Sequence, residues 1–510
     1  MLDLFYSYPL LTFSLLVFLP VIYIQTLVFL ENRTIRRLGA FAPVVKPYLP
    51  FSIDIVFRSI SNSWRHKDLE FWSWLFASSP HENSPTVEVV LAMQRFIFTA
   101  DPENIKAILA TQFQDYGKGE PFHKDWNDFL GDSIFTTDGE QWHNSRQLIR
   151  PQFVKNRVQD LDIFEKHVQH LLSKISGTGE EVNISALFYR FTLDSATDYL
   201  LGKSVNSLGN SDSGFASAFT EVQTIQNNIA RSGPFNKLLP RRAFHAALKV
   251  INEFVEPFIE SVLRMNIADL KERTNQSFLH ALAATGTRDR KVIRDQVVAV
   301  LLAGRDTTAG ALSFTFQELS NHPEIVEKLR QEILERVGRT EPPTYEDLKN
   351  MPYLQHSMNE TLRLYPSVPF NVRLALHNTT LPTGGGPNGT DPIGILKDTP
   401  IAYSAIHLHR RADLYPPPSP SFAPVLTYSP ERWESWTPKP WQYIPFNGGP
   451  RICIGQQFAL TEMAYTIVRI LQRFERVDKH WREEDLGMKS EIVMCPANGV
   501  KVGFWDAKSG

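Results

Sequence analysis

The sequence predicts a mainly α-helical domain with a smaller β region, preceded by one N-terminal transmembrane helix. Three observations lead there. Residues 4–30 carry no charge, are rich in Leu, Phe, Val and Ile, and exceed the ~20 apolar residues that cross a bilayer. Residues 103–373 carry helical periodicities broken by turns, among them 152–175, 251–271 and 323–337. Strand-like alternation is confined to the flanks, at 87–98, at 393–405 before a proline-rich loop, and at 491–504.

The first element reads as an anchor rather than a cleaved signal peptide. Its apolar stretch exceeds the usual ~7–15-residue hydrophobic core, and no basic residue precedes it. The small-x-small site Ala40-Phe41-Ala42 lies beyond the arginines, too far on for cleavage. Arg33, Arg36, Arg37 and Lys46 flank the far side of the run, so the positive-inside rule places the remainder of the chain in the cytosol. Pro43, Pro47 and Pro50 stiffen the exit. The expected division is an anchor over 1–31, a basic, proline-rich hinge over 32–50 and one domain over 51–510. Asn-x-Ser/Thr sites such as Asn183 and Asn275 would then never meet the glycosylation machinery.

At 510 residues, length alone would suggest about three domains, yet no Ser/Gly linker divides the chain. A net charge of -2 leaves no footprint for nucleic acid. The 2 cysteines, Cys453 and Cys495, match no zinc spacing and suit a reducing compartment.

The longest helical pattern covers 291–322 and meets a stop at Pro323. Within it, Leu301-Leu302-Ala303-Gly304-Arg305-Asp306-Thr307-Thr308 places a glycine, an acid and two hydroxyls mid-helix. Hydroxyls there can bond the carbonyl one turn back and open a groove that admits water or dioxygen. A capping or solvent-facing Asp-Thr-Thr is the alternative. Further on, Glu360 and Arg363 share a helix face that should end at Tyr365-Pro366, and by themselves read as a surface pair. Trp142 and Arg146 share a face at i, i+4; a half-buried Trp beside a surface Arg is the plain reading. Gly384-Gly385-Gly386-Pro387-Asn388-Gly389 is a hairpin turn, not a phosphate loop, since no Lys-Ser/Thr comes after it. Residues 456–474 read as an amphipathic helix.

Just before that helix stands Phe446-Asn447-Gly448-Gly449-Pro450-Arg451-Ile452-Cys453-Ile454-Gly455. Glycines let a chain turn its N–H groups toward a sulfur, and a helix N-terminus favours thiolate over thiol. These are the needs of a thiolate metal ligand. A buried structural cysteine is the alternative.

The loop matches every fixed position of the cytochrome P450 signature Phe-x-x-Gly-x-Arg-x-Cys-x-Gly, at Phe446, Gly449, Arg451, Cys453 and Gly455, and the chain resembles that family over nearly its whole length. The resemblance implies a helix-dominated cytochrome P450 fold holding haem b, with Cys453 as axial ligand and Phe446 in the ligand loop. Arg451, Trp142, Arg146 and Arg373 would direct N–H groups at the propionates. Thr307 would hydrogen-bond the bound oxygen, and Asp306 would help relay protons. Glu360 and Arg363 would be buried and tied to Arg432 in Pro430-Glu431-Arg432-Trp433, a structural triad needed for haem retention. Ala303 stands near the place where some fatty-acid hydroxylases of the superfamily carry a haem-esterified Glu, which implies noncovalent haem here.

Asn359 through Pro369, Thr379 through Gly386 and Pro445 through Glu462 resemble the fungal alkane- and fatty-acid-hydroxylating branch. That implies terminal or near-terminal hydroxylation of a lipophilic chain with O2 and electrons from NADPH-cytochrome P450 reductase, cytochrome b5 being an additional donor. It also implies an endoplasmic reticulum membrane location. Pocket candidates are Ala303, Phe370, Asn371, Ile492, Val493 and Met494, the last placed in a turn over Met494-Cys495-Pro496-Ala497. The stretch 416–429 is longer than the family pattern and is either a surface loop or an error in the gene reading. The rival readings are a tailoring monooxygenase of a fungal polyketide or terpenoid pathway, and a haem-thiolate isomerase or dehydratase. The latter needs no proton delivery, so the retained Asp306 and Thr307 argue against it, as they do against a haem sensor.

Overall fold

In the computed structural model, residues 9–507 are described apart from 82–83, 92–93, 154–160, 211–213, 273–276 and 486. Asn275, the first residues of the apolar run and parts of the spans 87–98 and 152–175 lie outside the described residues. The backbone divides into two units.

The first unit comprises Met1–Val56, Ser73–Gly117 and Val372–Tyr403. It opens with one helix, α1 (Pro9–Leu38), which takes Pro20 inside it and runs past the expected boundary at residue 31. Large apolar side chains along it are exposed, with Phe18 at 61% and Tyr23 at 65%, whereas Ile35 near its end is fully buried. The exit is bonded to the unit rather than free: Ala40 N donates to Pro392 O at 2.7 Å, and Val45 N donates to Glu88 O at 2.9 Å. Gly394 is required there, because a Cβ would lie 2.4 Å from the Ile35 carbonyl oxygen.

The strands that lie wholly or mostly in this unit are β1 (Thr86–Leu91), β2 (Gln94–Thr99), β3 (Tyr116–Gly117), β4 (Phe370–Ala375), β5 (Thr379–Gly385), β6 (Asp391–Ile395) and β7 (Pro400–Ser404). They form a sheet ordered β1-β2-β7-β4-β3 and a separate β5-β6 hairpin. The alternation at 87–98 is thus a hairpin, with Val87 opposite Phe98, and that at 393–405 is two strands in different sheets. β2 pairs parallel with β7, Ile97 opposite Ile401. Gly384 (φ 104), Gly386 (φ 72) and Gly389 (φ 68) make the turn of β5-β6, as the sequence predicts.

The second unit comprises Phe57–Trp72, Lys118–Asn371 and Ser404–Gly510 and is predominantly helical. The helices that build its site are α2 (Gly139–Ile149), α3 (Ile184–Leu201), α4 (Arg290–Asn321), α5 (Pro352–Leu364) and α6 (Gln456–Arg473). Their ends obey ordinary capping chemistry. Asp289 caps α4 by accepting from Lys291 N and Val292 N, Asn183 caps α3, Gly202 (φ 77) closes it, and Pro352 opens α5. Among the residues whose side chains are described, which in α1 begin at Phe18, the helix long and apolar enough to cross a membrane is α4, and its apolar window is mostly buried, as a core helix is. Phe188, Leu193, Leu312, Phe316, Ile467 and Leu471, all at or near zero exposure, join α3, α4 and α6 in one core.

Two short strands, β8 (Met488–Ser490) and β9 (Met494–Pro496), pair antiparallel with Ser490 opposite Met494. The expected turn at Met494-Cys495-Pro496-Ala497 is therefore strand through Pro496, and the chain reverses before it, across 491–493. The expected strand 491–504 is likewise divided. After a second turn at Gly499 (φ 73), Lys501–Asp506 joins a different sheet with Thr178–Asn183 and Phe474–Lys479.

Candidate active site

The cysteine loop closes on itself through Cys453 N donating to Phe446 O at 2.9 Å and Ile452 N donating to Gly449 O at 3.1 Å. Asn447 (φ 64) and Gly449 (φ 66) supply the left-handed turns. Gly448 leaves room for the Trp441 ring, which a Cβ would approach to 2.5 Å. α6 begins at once, so Cys453 stands at its N-terminus as expected. The Cys453 side chain is exposed although protein crowds it. That crowding pushes the thiol up, while the Gly455 N–H and the Arg146 charge pull it down.

Beside this loop, α2 contributes Trp142, buried, and Arg146. The Arg451 guanidinium lies 4.7 Å from the Trp142 ring centre, and that of Arg146 lies 5.9 Å from it. Arg146 donates to Ile452 O at 3.1 Å. Arg451 donates to Asp138 Oδ1 at 2.6 Å and to Thr137 O at 2.9 Å. Trp142, Arg146, Arg451, Phe446 and Cys453 thus form one constellation, and Asp138 is a member that the sequence did not single out. Arg373 belongs to the first unit; it is buried on β4 and 5.9 Å from the Tyr403 ring centre.

α4 is buried from Val297 to Gln317 except on one stripe. Val300, Ala303, Gly304 and Thr307 are partly exposed while the residues between them are buried. The spacing i, i+3, i+4, i+7 is one helical face, so a core helix leaves short side chains, one of them a hydroxyl, partly uncovered along one line. Thr307 Oγ1 donates to Ala303 O at 2.7 Å, the back-bond that the sequence predicted. Asp306 points elsewhere. Its Oδ2 accepts from Gln223 Nε2, and Arg305 Nε lies 3.4 Å from its Oδ1. Arg305 also donates to Thr220 Oγ1 at 3.2 Å and lies over the Tyr189 and Phe219 rings. Gln223 carried no motif and was invisible in the sequence. On the other side of α4, Glu462 of α6 is buried beside the Ser195 and Thr308 hydroxyls, and burial pushes its pKa up to about 8.

The acid-base pair of α5 is not on the surface. Glu360, Arg363 and Arg432 are fully buried. Glu360 Oε1 accepts from Arg363 at 2.8 Å, Ser429 N at 3.0 Å and Arg432 Nε at 3.3 Å. Oε2 accepts from Arg363 Nε at 2.8 Å and Trp433 Nε1 at 3.0 Å. Arg432 spends its remaining N–H groups on the carbonyls of Ala423, Pro424 and Thr427. Those acceptors come from the long 416–429 stretch, which is integrated through buried Phe422 and Tyr428. His409 links the triad to the cysteine loop: Nδ1 meets Arg363 O and Nε2 accepts from Ile444 N. Burial lowers its pKa to about 3, so it is neutral, as an accepting Nε2 requires.

Among the pocket candidates, Phe370 stacks on Trp72 at 4.6 Å, and Asn371 Oδ1 accepts from Lys118 at 3.2 Å. Met494, 2% exposed, packs in a small cluster with Phe314 and Ile406, while Ile492 and Val493 are half-buried.

The donor set fits haem. One accessible thiol at a helix N-terminus, adjoining guanidinium and indole N–H donors for carboxylates, and an apolar helical stripe without long side chains are what a thiolate-ligated macrocycle needs. Among the described residues, no group of three His, Cys, Asp or Glu could instead hold a metal by side chains alone.

Comparison with known proteins agrees. A family model described as Cytochrome P450 matches residues 73–504. Cytochrome P450 monooxygenase pvhE of Talaromyces variabilis is 47% identical, over 94% of this chain and 92% of its own. Cytochrome P450 52A5 of Candida maltosa is 41% identical over 86% of each chain. Cytochrome P450 monooxygenase himC of Aspergillus japonicus is 38% identical over 89% and 81%. The crystal structure of the cytochrome P450DA heme domain superposes with a TM-score of 0.76 at 20% identity, over 92% of this chain and 99% of that one, which shows the fold.

Proposed function

The chain belongs to the cytochrome P450 family and is a haem-thiolate monooxygenase, and from that premise we propose that it hydroxylates an unactivated C–H bond of a long-chain alkane or fatty acid at or near the chain end. As in the family, it works with O2, a small-molecule substrate and an electron-delivering partner. The observation that carries the substrate reading is the partly exposed stripe of α4, whose own side chains are no larger than those of Val300 and Thr307. Half-buried Ile492 and Val493 offer further apolar surface, and Asn371, held by Lys118, is the polar exception. Such a lining favours an extended apolar chain and excludes water.

The haem, when bound, supplies the iron centre at which dioxygen is activated. Cys453 would hold it, with the Gly455 N–H steadying the sulfur, and Trp142, Arg146 and Arg451 would meet its propionates. Asp138 fixes Arg451 for that task. Thr307 keeps its hydroxyl proton on the Ala303 carbonyl and would redirect it toward the reacting oxygen. Asp306, turned onto Gln223 and Arg305 in this structure, would resupply that proton through water by leaving those partners. Ala303, with no carboxyl, leaves the haem noncovalently bound.

α1, exposing Phe18, Leu19, Ile22 and Tyr23, would cross the endoplasmic reticulum membrane once. Exposed Arg36 and Arg37 at its C-terminal end would keep the rest cytosolic beside NADPH-cytochrome P450 reductase. The division into an anchor, a hinge and one catalytic domain is the corresponding organisation.

The test is mass spectrometry of products from the membrane-bound enzyme, a fungal reductase and NADPH with a series of long-chain alkanes and fatty acids. Terminal or near-terminal alcohols support the reading. No product from spectrally intact enzyme refutes it in favour of a pathway-specific tailoring oxygenase.

A further inference from the structure

Three contacts outside the haem constellation join the oxygen-binding turn of α4 to the β8-β9 hairpin. Ser367, on the segment between α5 and β4, donates from Oγ to the Thr307 carbonyl at 3.1 Å. The Ser367 carbonyl accepts from Met494 N at 2.9 Å. One turn further along α4, Gly310 is buried against the hairpin, where an added Cβ would lie 2.6 Å from Met494 O and 3.9 Å from Val493 Cγ1. The Met494 side chain is locked by Phe314, also of α4, and by Ile406.

We propose that Ser367 and Gly310 form a joint that sets the height of the hairpin residues Ile492 and Val493 above the Thr307 turn, and so determine which carbon of the substrate is oxidised. The inference rests on the monooxygenase reading; neither residue touches substrate, and both act by positioning.

The physical reason lies in how each contact fixes one coordinate. Backbone-to-backbone approach at a glycine is a hard stop, because the Met494 oxygen meets the α4 backbone with no side chain between them. The Met494 N–H to Ser367 O bond fixes the strand along its length. The Ser367 hydroxyl, adding a second donor to a carbonyl of α4, refers that position to residue 307 itself. The carbonyl of Thr307 is therefore the common origin for the reacting hydroxyl and for the pocket wall. A methyl at position 310 must move Met494 O outward by roughly 1 Å to restore van der Waals contact, and the hairpin tip moves with it. Hydroxylation position responds to displacements of that size, since a single methylene in an apolar pocket changes selectivity by roughly 10–200-fold.

The experiment uses the full-length, membrane-bound holoenzyme as wild type, Gly310→Ala and Ser367→Ala. Two readouts are taken. The first is hydrogen exchange by mass spectrometry over the peptide containing Met494. The second is the ratio of terminal to subterminal alcohols from dodecanoic acid, with the reduced-CO Soret band verifying intact thiolate ligation. Gly310→Ala is expected to speed exchange at Met494 and to shift the ratio about tenfold. Ser367→Ala, which keeps the backbone bond, is expected to leave that amide protected and to shift the ratio about fivefold, the worth of one hydrogen bond. If Gly310→Ala fails to hold haem, Ser367→Ala alone decides on the ratio. An unchanged ratio in the spectrally intact variants overturns the joint. If wild type yields no alcohol from the acid, the substrate reading fails. The joint is then judged by exchange: normal protection in Gly310→Ala overturns it, and faster exchange upholds it.

Discussion

Replacing Glu360 by Gln tests whether the buried triad, rather than the haem loop alone, keeps the haem domain together. The change preserves shape and removes one negative charge. In the native chain Glu360 accepts five hydrogen bonds, three at Oε1 and two at Oε2. A Gln amide placed to keep the three bonds at Oε1 turns its NH2 toward Arg363 Nε and Trp433 Nε1, two donors facing a donor. Two guanidinium groups with zero exposure also lose their counter-charge. Breaking a buried pair on one side costs about 3–5 kcal/mol, and two lost charge-assisted bonds at about 1.5–3 kcal/mol each agree with that range. At 1.4 kcal/mol per tenfold, this is a factor of at least about a hundred in the population of haem-competent protein. The assay is haem bound per polypeptide, measured against urea concentration, with Glu484→Gln as reference. Glu484 pairs with Arg482 at 71% and 82% exposure, a contact worth about 0–1 kcal/mol. Haem retention by Glu360→Gln equal to the Glu484→Gln reference at every urea concentration would show that the triad carries no such load.

Glu462, with its folded pKa raised from 4.5 to about 8, keeps its proton in the native state while the unfolded chain releases it. Its contribution is full below pH 4.5 and is lost as pH rises to about 8, by up to roughly 5 kcal/mol. Glu462→Gln should therefore flatten the pH dependence of unfolding over that window, and parallel curves for the two proteins would contradict it. Thr307→Ala should uncouple NADPH consumption from product and release peroxide, on the order of 10-fold more per turnover; unchanged coupling would remove the proton-handling role. Cys453→Ala should abolish the reduced-CO Soret band of thiolate-ligated haem, and its persistence would remove the central claim.

What the sequence disclosed and what it hid divide along physical lines. The helix over Arg290–Asn321 was legible within one residue at each end, because a long apolar period and a proline just past its end are local signals. The cysteine loop was legible because its turns need glycines, and the triad because a resemblance supplied the third member. Periodicity alone would have left Glu360 and Arg363 on the surface, where two charges at i, i+3 usually belong. The strand-like span at 491–504 was misjudged because alternation does not report that Gly499 turns the chain into another sheet. Gln223, Asp138 and Ser367 had no local signal. Each acts through a partner 83, 313 or 60 positions away, a pairing that only the folded chain reveals.

The long stretch before the Pro-Glu-Arg segment has a practical side. Its exposed tip, Pro416 to Ser421, bonds chiefly to itself, whereas Ala423, Pro424 and Thr427 give their carbonyls to Arg432. An affinity tag or fluorophore inserted between Pro417 and Ser419 would hang in solvent and leave the enzyme intact. A trim taken only six residues further toward the C-terminus would strip the acceptors from a buried cation.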